Sequence, residues 1–172
     1  MKARRAARRL ALDVLYEAEI RDELPSEALE ARRTGGWVVA TAADSEEPPE
    51  PATEEAMDYA ADLVRGVQEH HADIDELIAA HADRWAIERM PVVDRTLLRI
   101  ALFELLWRED IPVAVGINEA VELAKAYSTE DSGRFINGLL GRIVEVEVAS
   151  QGLSVEDAQA NLWEALDLYF QD

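Results

Sequence analysis

Apolar and polar residues recur along most of this chain at three- and four-residue spacing, and that spacing predicts helices. Over Lys2–Glu23, Ala3, Ala7, Leu10, Ala11, Val14, Leu15 and Ala18 fall on one face. The pattern stops over 34–53. Gly35, Gly36, Pro48, Pro49 and Pro51 predict a mobile loop there, with Trp37, Val38 and Val39 pinning one part of it. A second helix is predicted from near Thr53, with Glu54 and Glu55 in the first turn where the dipole favours anions. It runs through Met57, Ala60, Ala61, Val64 and Val67. A third covers Asp73–His81, with Ile74, Leu77 and Ile78 inward. "MPVVDRTLLRIALFELLWRED" carries the strongest signal. Pro91 sits near its start, Val93, Leu97, Ile100, Ala101, Glu104 and Leu105 follow helical spacing, and "DIP" ends it. "INEAVELAKAY" and "SGRFINGLLGRIVEV" are two further helices, separated by "STED". Asn118 reads as a helix cap and Asn137 as a polar group in the packing. Beyond Ser150, Val155, Ala158, Leu162, Leu166 and Tyr169 line one side of an acidic amphipathic helix, with Ser154 and Asp157 in capping-box spacing. No strand pattern competes. The predicted class is all-α, with about seven helices in a domain over 1–148 and an acidic extension over 149–172.

At 172 residues the chain is long enough for one domain with a real core. It has no cysteine, so disulfides, thiolate metal sites and cysteine nucleophiles are excluded. Asp13, Glu17 and Glu19 interrupt the opening, so it does not read as a secretory signal, and no stretch is long and apolar enough for a membrane. A cytoplasmic protein is the expectation. His70, His71 and His81 form no metal motif, and no nucleophile elbow or phosphate-binding glycine loop is present. No catalysis and no cofactor are therefore expected.

Charge changes the picture most. The net charge is −19, yet the first nine residues hold Lys2, Arg4, Arg5, Arg8 and Arg9. An acidic body repels nucleic acid at long range, but the Debye length is only about 8 Å at physiological salt, so a local basic cluster still acts. At 100° per residue the four arginines form one stripe beside the apolar face, and Leu12 and Tyr16 continue it. Guanidinium forks suit phosphate oxygens, and a tyrosine ring suits a base, so the stripe reads as a single-stranded RNA footprint. The competing reading pairs the arginines with the acidic body and packs Tyr16. Positive charge at a helix N-terminus opposes the dipole, which favours a use outside the helix.

Motifs further along bear on that choice. "VVDRTLLRIALFEL", "DIPVAVGINEAVELAKAY" and "TEDSGRFINGLLGRI", preceded by "RRAARRLALDVLY" and "DLVRGVQEHHADIDELI", closely resemble the NusB transcription antitermination family over about Lys2–Val146. The resemblance implies two small packed helical subdomains and no catalysis. It implies binding to the boxA element of nascent RNA, usually with the basic ribosomal protein NusE, in an elongating RNA polymerase complex that suppresses premature termination, chiefly in ribosomal RNA operons. Some members form homodimers. By position, Arg4, Arg5, Ala7 and Arg8 match the arginine-rich opening and Tyr16 its aromatic; Ala6 stands where many members have another arginine, Arg9 adds charge one turn away, and Lys2 and Arg9 join the RNA-contacting candidates. Asp131, Ser132 and Phe135 match the second RNA-facing segment, Phe135 as a base stacker; Asp131 or Ser132 also reads as an N-cap. Glu88, Asp94, Arg99 and Glu104 are expected on the NusE-facing surface. The alternative is a purely protein-binding acidic helical module. An RNA methyltransferase with such a domain is set aside, since there is no cysteine nucleophile and no room for a cofactor domain.

Overall fold

The computed structural model describes residues 2–39, 50–83 and 85–150. The acidic helix expected after Ser150 and the centre of the expected loop, residues 40–49, lie outside them. Among the described residues seven α-helices account for nearly all regular structure. The chain divides into two compact units, the first running to His71 and the second beginning at Ala72.

The first unit holds α1 (Lys2–Arg21), α2 (Pro25–Gly35) and α3 (Glu54–Glu69), which pack on one another. Ala7, Leu10, Ala11, Val14, Leu15 and Ala18 of α1 are buried as their spacing predicts, together with Ala60, Leu63, Val64 and Val67 of α3. Each buried Leu or Val contributes roughly 1.5–3 kcal/mol. The first helix stops at Arg21, two residues before its expected end. Asp22 turns left-handed at φ 54°, its N–H reaches the Glu19 carbonyl, and the Glu23 N–H reaches the Ala18 carbonyl. That paired bonding closes the last turn.

Helix α2 is absent from the sequence reading. It buries only Ala28 and Leu29, too few to print a periodicity, and Pro25 in its first turn is the local signal. The expected loop therefore begins with helix, which Gly36 ends at φ 86°. It also contains a two-stranded antiparallel ribbon, β1 (Val38–Val39) against β2 (Glu50–Pro51). Two-residue strands carry no alternation to read. Trp37 is buried next to the ribbon, and its carbonyl accepts from the Ala52 N–H at 3.1 Å. Thr53 caps α3 through its hydroxyl, which accepts from the Ala56 N–H.

The second unit holds α4 (His71–His81) from its second residue on, a short 3-10 turn at Ile87–Arg89, α5 (Val92–Trp107), α6 (Val113–Tyr127) and α7 (Glu130–Ser150). Helices α5, α6 and α7 pack against one another. Close approach of α6 to α5 requires Gly116, where an added Cβ would lie 2.8 Å from Leu105 Cδ2. Helix α6 starts four residues before the expected Ile117, so Asn118 lies inside it, exposed, and is not its cap. Asn137 is likewise exposed.

Candidate nucleic-acid interface

Burial on α1 splits the expected arginine stripe into two rows. Ala7, Ala11 and Leu15 define the inner face, so Arg4 falls on it and Arg8 at its edge, whereas Lys2, Arg5, Arg9 and Tyr16 fall outward. Arg8 is only 5% exposed. The Arg4 guanidinium lies 5.2 Å from the Tyr59 ring centroid on α3, a cation–π contact. Lys2 and Arg5 are exposed, Arg9 is half-buried, and Tyr16 is exposed. The outward row is therefore Lys2, Arg5, Arg9 and Tyr16, with Asp13 inserted between Arg9 and Tyr16. Burial pushes the Asp13 carboxyl above its ordinary value, against the downward pull of Arg32 and Arg9; Glu17 adds to the rise. Arg32 of α2 bonds Glu17 of α1 through Nε and Nη2, at 2.8 and 2.6 Å, and fixes the helix pair below this row.

At the start of α7, the expected RNA segment also divides. Thr129, not Asp131 or Ser132, caps the helix: its hydroxyl accepts from the Ser132 N–H at 3.0 Å. Ser132 is buried, and its hydroxyl donates to Asp94 Oδ2 at 2.8 Å. Ser132 is thus an internal tie between α7 and α5 and does not present its hydroxyl to a ligand. Asp131 is exposed one turn before Phe135. The half-buried Phe135 ring lies 4.6 Å from Trp85, tilted by 59°.

The expected partner face is corrected more strongly. Asp94 and Glu104 are each 1% exposed. Their spacing explains it: Asp94, Leu97, Leu98, Ala101 and Glu104 share the buried stripe of α5. Asp94 Oδ1 has no hydrogen-bonding partner among the described residues. Arg99 makes a two-pronged ion pair with Asp75 of α4, Nε to Oδ1 at 2.8 Å and Nη2 to Oδ2 at 2.9 Å. Of the four expected residues, Glu88 alone is exposed.

An open groove of about 470 Å³ runs between α6 and α7. Ile117 and Val121 contribute apolar lining, and Asn118, Lys125, Arg134 and Asn137 contribute polar groups. Sequence reasoning missed this groove, Tyr59 and Trp85. The first two need the packing of helices, but Trp85 carries a local signal, an aromatic in the turn that follows α4. Among the described residues no three His, Asp or Glu side chains assemble as a metal site, and no helix is long and apolar enough to cross a membrane.

These features define a class: an all-helical protein of two units, with a basic, aromatic-ended helix face in the first and an aromatic pair beside a helix start in the second. Comparison with known proteins is specific. The NusB family pattern matches residues 5–145. The chain is 50% identical over 145 residues to the transcription antitermination protein NusB of Salinispora arenicola, covering 84% of this chain and 97% of that one. Among solved structures it is similar to NusB of T. maritima, with a TM-score of 0.67, 37% identity, and 81% and 89% of the two chains covered. It is also similar to a chain in the crystal structure of antitermination factors NusB and NusE in complex with dsRNA. There the TM-score is 0.67 at 28% identity, over 85% of this chain and 98% of that one. The chain belongs to the NusB family of transcription antitermination proteins.

Proposed function

We propose that this protein binds the boxA element of nascent RNA through the outward row Lys2, Arg5, Arg9 and Tyr16, acting with NusE to suppress premature termination in ribosomal RNA operons. The observation that carries the reading is the separation of charge. In a chain of net charge −19, α1 turns cations and an aromatic ring outward along one row. Guanidiniums there neutralise phosphates, and the tyrosine ring stacks on a base. The likeness to a chain crystallised with NusE and dsRNA supports the same reading. Asp131 and Phe135 of the second unit are the further RNA-contacting candidates. The acidic surface left over complements a basic ribosomal protein, with Glu88 as the surviving candidate contact. The assembly acts in the cytoplasm on elongating RNA polymerase, as a regulator and not a catalyst; self-association as a homodimer is a further family trait to be read from solution mass.

A gel-shift titration tests this. Labelled boxA RNA should shift in preference to a scrambled RNA, more strongly with NusE, and the shift should weaken as salt rises. Absence of any RNA signal with or without NusE would refute it in favour of a protein-only module.

A further inference from the structure

We propose that Trp85 is a base-stacking residue, forming with Phe135 a two-ring subsite for one unstacked, amino-bearing nucleobase of a single-stranded RNA. This rests on the reading of the chain as an RNA-binding protein and adds a residue and a specificity to it.

The turn that carries Trp85 is built to hold it. Past the end of α4 the Ala82 N–H still bonds the Ile78 carbonyl at 2.9 Å. Asp83 then turns left-handed at φ 54°, and the Trp85 N–H closes the turn on the Ala82 carbonyl at 3.0 Å. Asp83 closes this helix end as Asp22 closes α1, in a left-handed position that aspartate adopts readily. The Asp83 carboxylate accepts from Arg142 Nη1 of α7 at 2.9 Å, while Trp85 meets Phe135 of the same helix. Phe135 and Arg142 are seven residues apart, so the turn is tied to one flank of α7 at two levels.

Despite these ties Trp85 is 37% exposed. Tryptophan is highly buried on average, and a ring placed by this many contacts yet left open presents a surface. The 59° tilt makes the pair a corner and not a flat stack. A planar ring entering it lies face-on to one aromatic and edge-on to the other, the two favoured aromatic geometries. A nucleobase fits that description, and every base has a stacking face. The ends of the corner supply polarity. One turn before Phe135, on the same flank, Asp131 offers an exposed carboxylate that accepts from an exocyclic amino group. Two turns after it, Arg142 offers an exposed guanidinium whose bond to Asp83 uses Nη1 and leaves further N–H donors for a backbone phosphate. The carboxylate beside the aromatic corner favours an amino-bearing base, and the cation further along the same flank suits the RNA backbone.

The test uses the full chain and a single-stranded boxA RNA, with binding read by fluorescence anisotropy at two salt concentrations. Trp85→Ala should weaken binding roughly 5- to 150-fold, the range for loss of one base–aromatic stack, with the salt slope unchanged. Trp85→Phe should recover most of the affinity. In an RNA series with single abasic positions, one position should erase the difference between Trp85→Ala and the parent chain. If Trp85→Ala melts early, Trp85→Phe carries the test: RNA should quench tryptophan emission in the parent chain and lose most of that quench in the variant. Affinity within twofold for both variants, or an undiminished quench in Trp85→Phe, overturns the proposal. If Arg5→Ala still weakens binding in that case, the RNA-binding reading stands and Trp85 alone is excluded. Weakened NusE association with RNA affinity unchanged overturns it in favour of a protein contact. A parent chain that binds no RNA overturns both readings.

Discussion

The split of the arginines into two rows predicts that they fail in two different ways. Arg5 and Arg9 lie outward on α1, while Arg8 is 5% exposed and Arg4 lies over Tyr59. Each phosphate contact to a single strand contributes about −0.7 to the slope of log affinity against log salt. Arg5→Ala with Arg9→Ala should therefore flatten that slope by about 1.4. Between about 50 mM and about 200 mM salt, a fourfold change, the advantage of the parent chain over the double variant should shrink by about sevenfold. Arg5 is exposed, and the half-buried Arg9 also stabilises the Asp13 carboxylate, so the double variant should lose on the order of 1 kcal/mol or less. Arg8→Ala should do the reverse. It removes a buried charged side chain and its packing, so it should lower stability by about 1–3 kcal/mol and leave the salt slope of the remaining folded protein unchanged. The assay is a boxA titration at four salt concentrations beside a thermal melt of each variant. An unchanged slope in Arg5→Ala/Arg9→Ala, or a slope loss in a fully folded Arg8→Ala equal to theirs, would refute the two-row assignment.

Three further outcomes follow from the geometry. Ser132→Ala removes the hydroxyl that donates to the buried Asp94 carboxylate, whose other oxygen has no partner among the described residues, so stability should fall by about 1.5–3 kcal/mol; a melt unchanged from the parent would contradict the tie. Gly138 and Gly141 lie inside α7 with nothing within 4 Å of an added Cβ, so Gly138→Ala and Gly141→Ala should each stabilise by about 0.5–1 kcal/mol in urea unfolding, and a lower midpoint would show that a neighbour needs the bare backbone. Burial raises the Asp13 pKa above 3.8, so the folded state holds that proton more tightly than the unfolded chain. The ionised carboxylate then disfavours folding: the penalty is absent below the unfolded value, grows through the window up to the raised folded value, and is complete above it. Asp13→Asn should melt higher than the parent near neutrality, with the gap closing as pH falls below the ordinary aspartate range; a gap independent of pH would exclude this cause.

Helices α1, α3 and α5 were legible because each buries enough apolar residues to print its period. The sequence of α1 alone sets Leu10, Val14 and Leu15 inward, since a helix fixes which residues share a face. The same local rule failed for α2, where two buried residues make no pattern, and for the ribbon, where two-residue strands make no alternation. It also failed at the start of α6, where Pro112 precedes four residues of unremarked helix.

Local sequence thus determined that this chain is helical, where most of its helices lie, and that its cations gather at one end of the first. Only tertiary structure decided what each of those cations does. Helical spacing sets an angle about an axis, but whether that angle meets solvent, Tyr59 or the interior depends on which other helix covers it. Asp94 and Glu104 make the same point from the other side. The family resemblance set them on a partner surface, but their register placed them among Leu97, Leu98 and Ala101, and packing across α5 buried them. Trp85 and Phe135 stand fifty residues apart in the chain and 4.6 Å apart in the fold, a distance that no local pattern encodes.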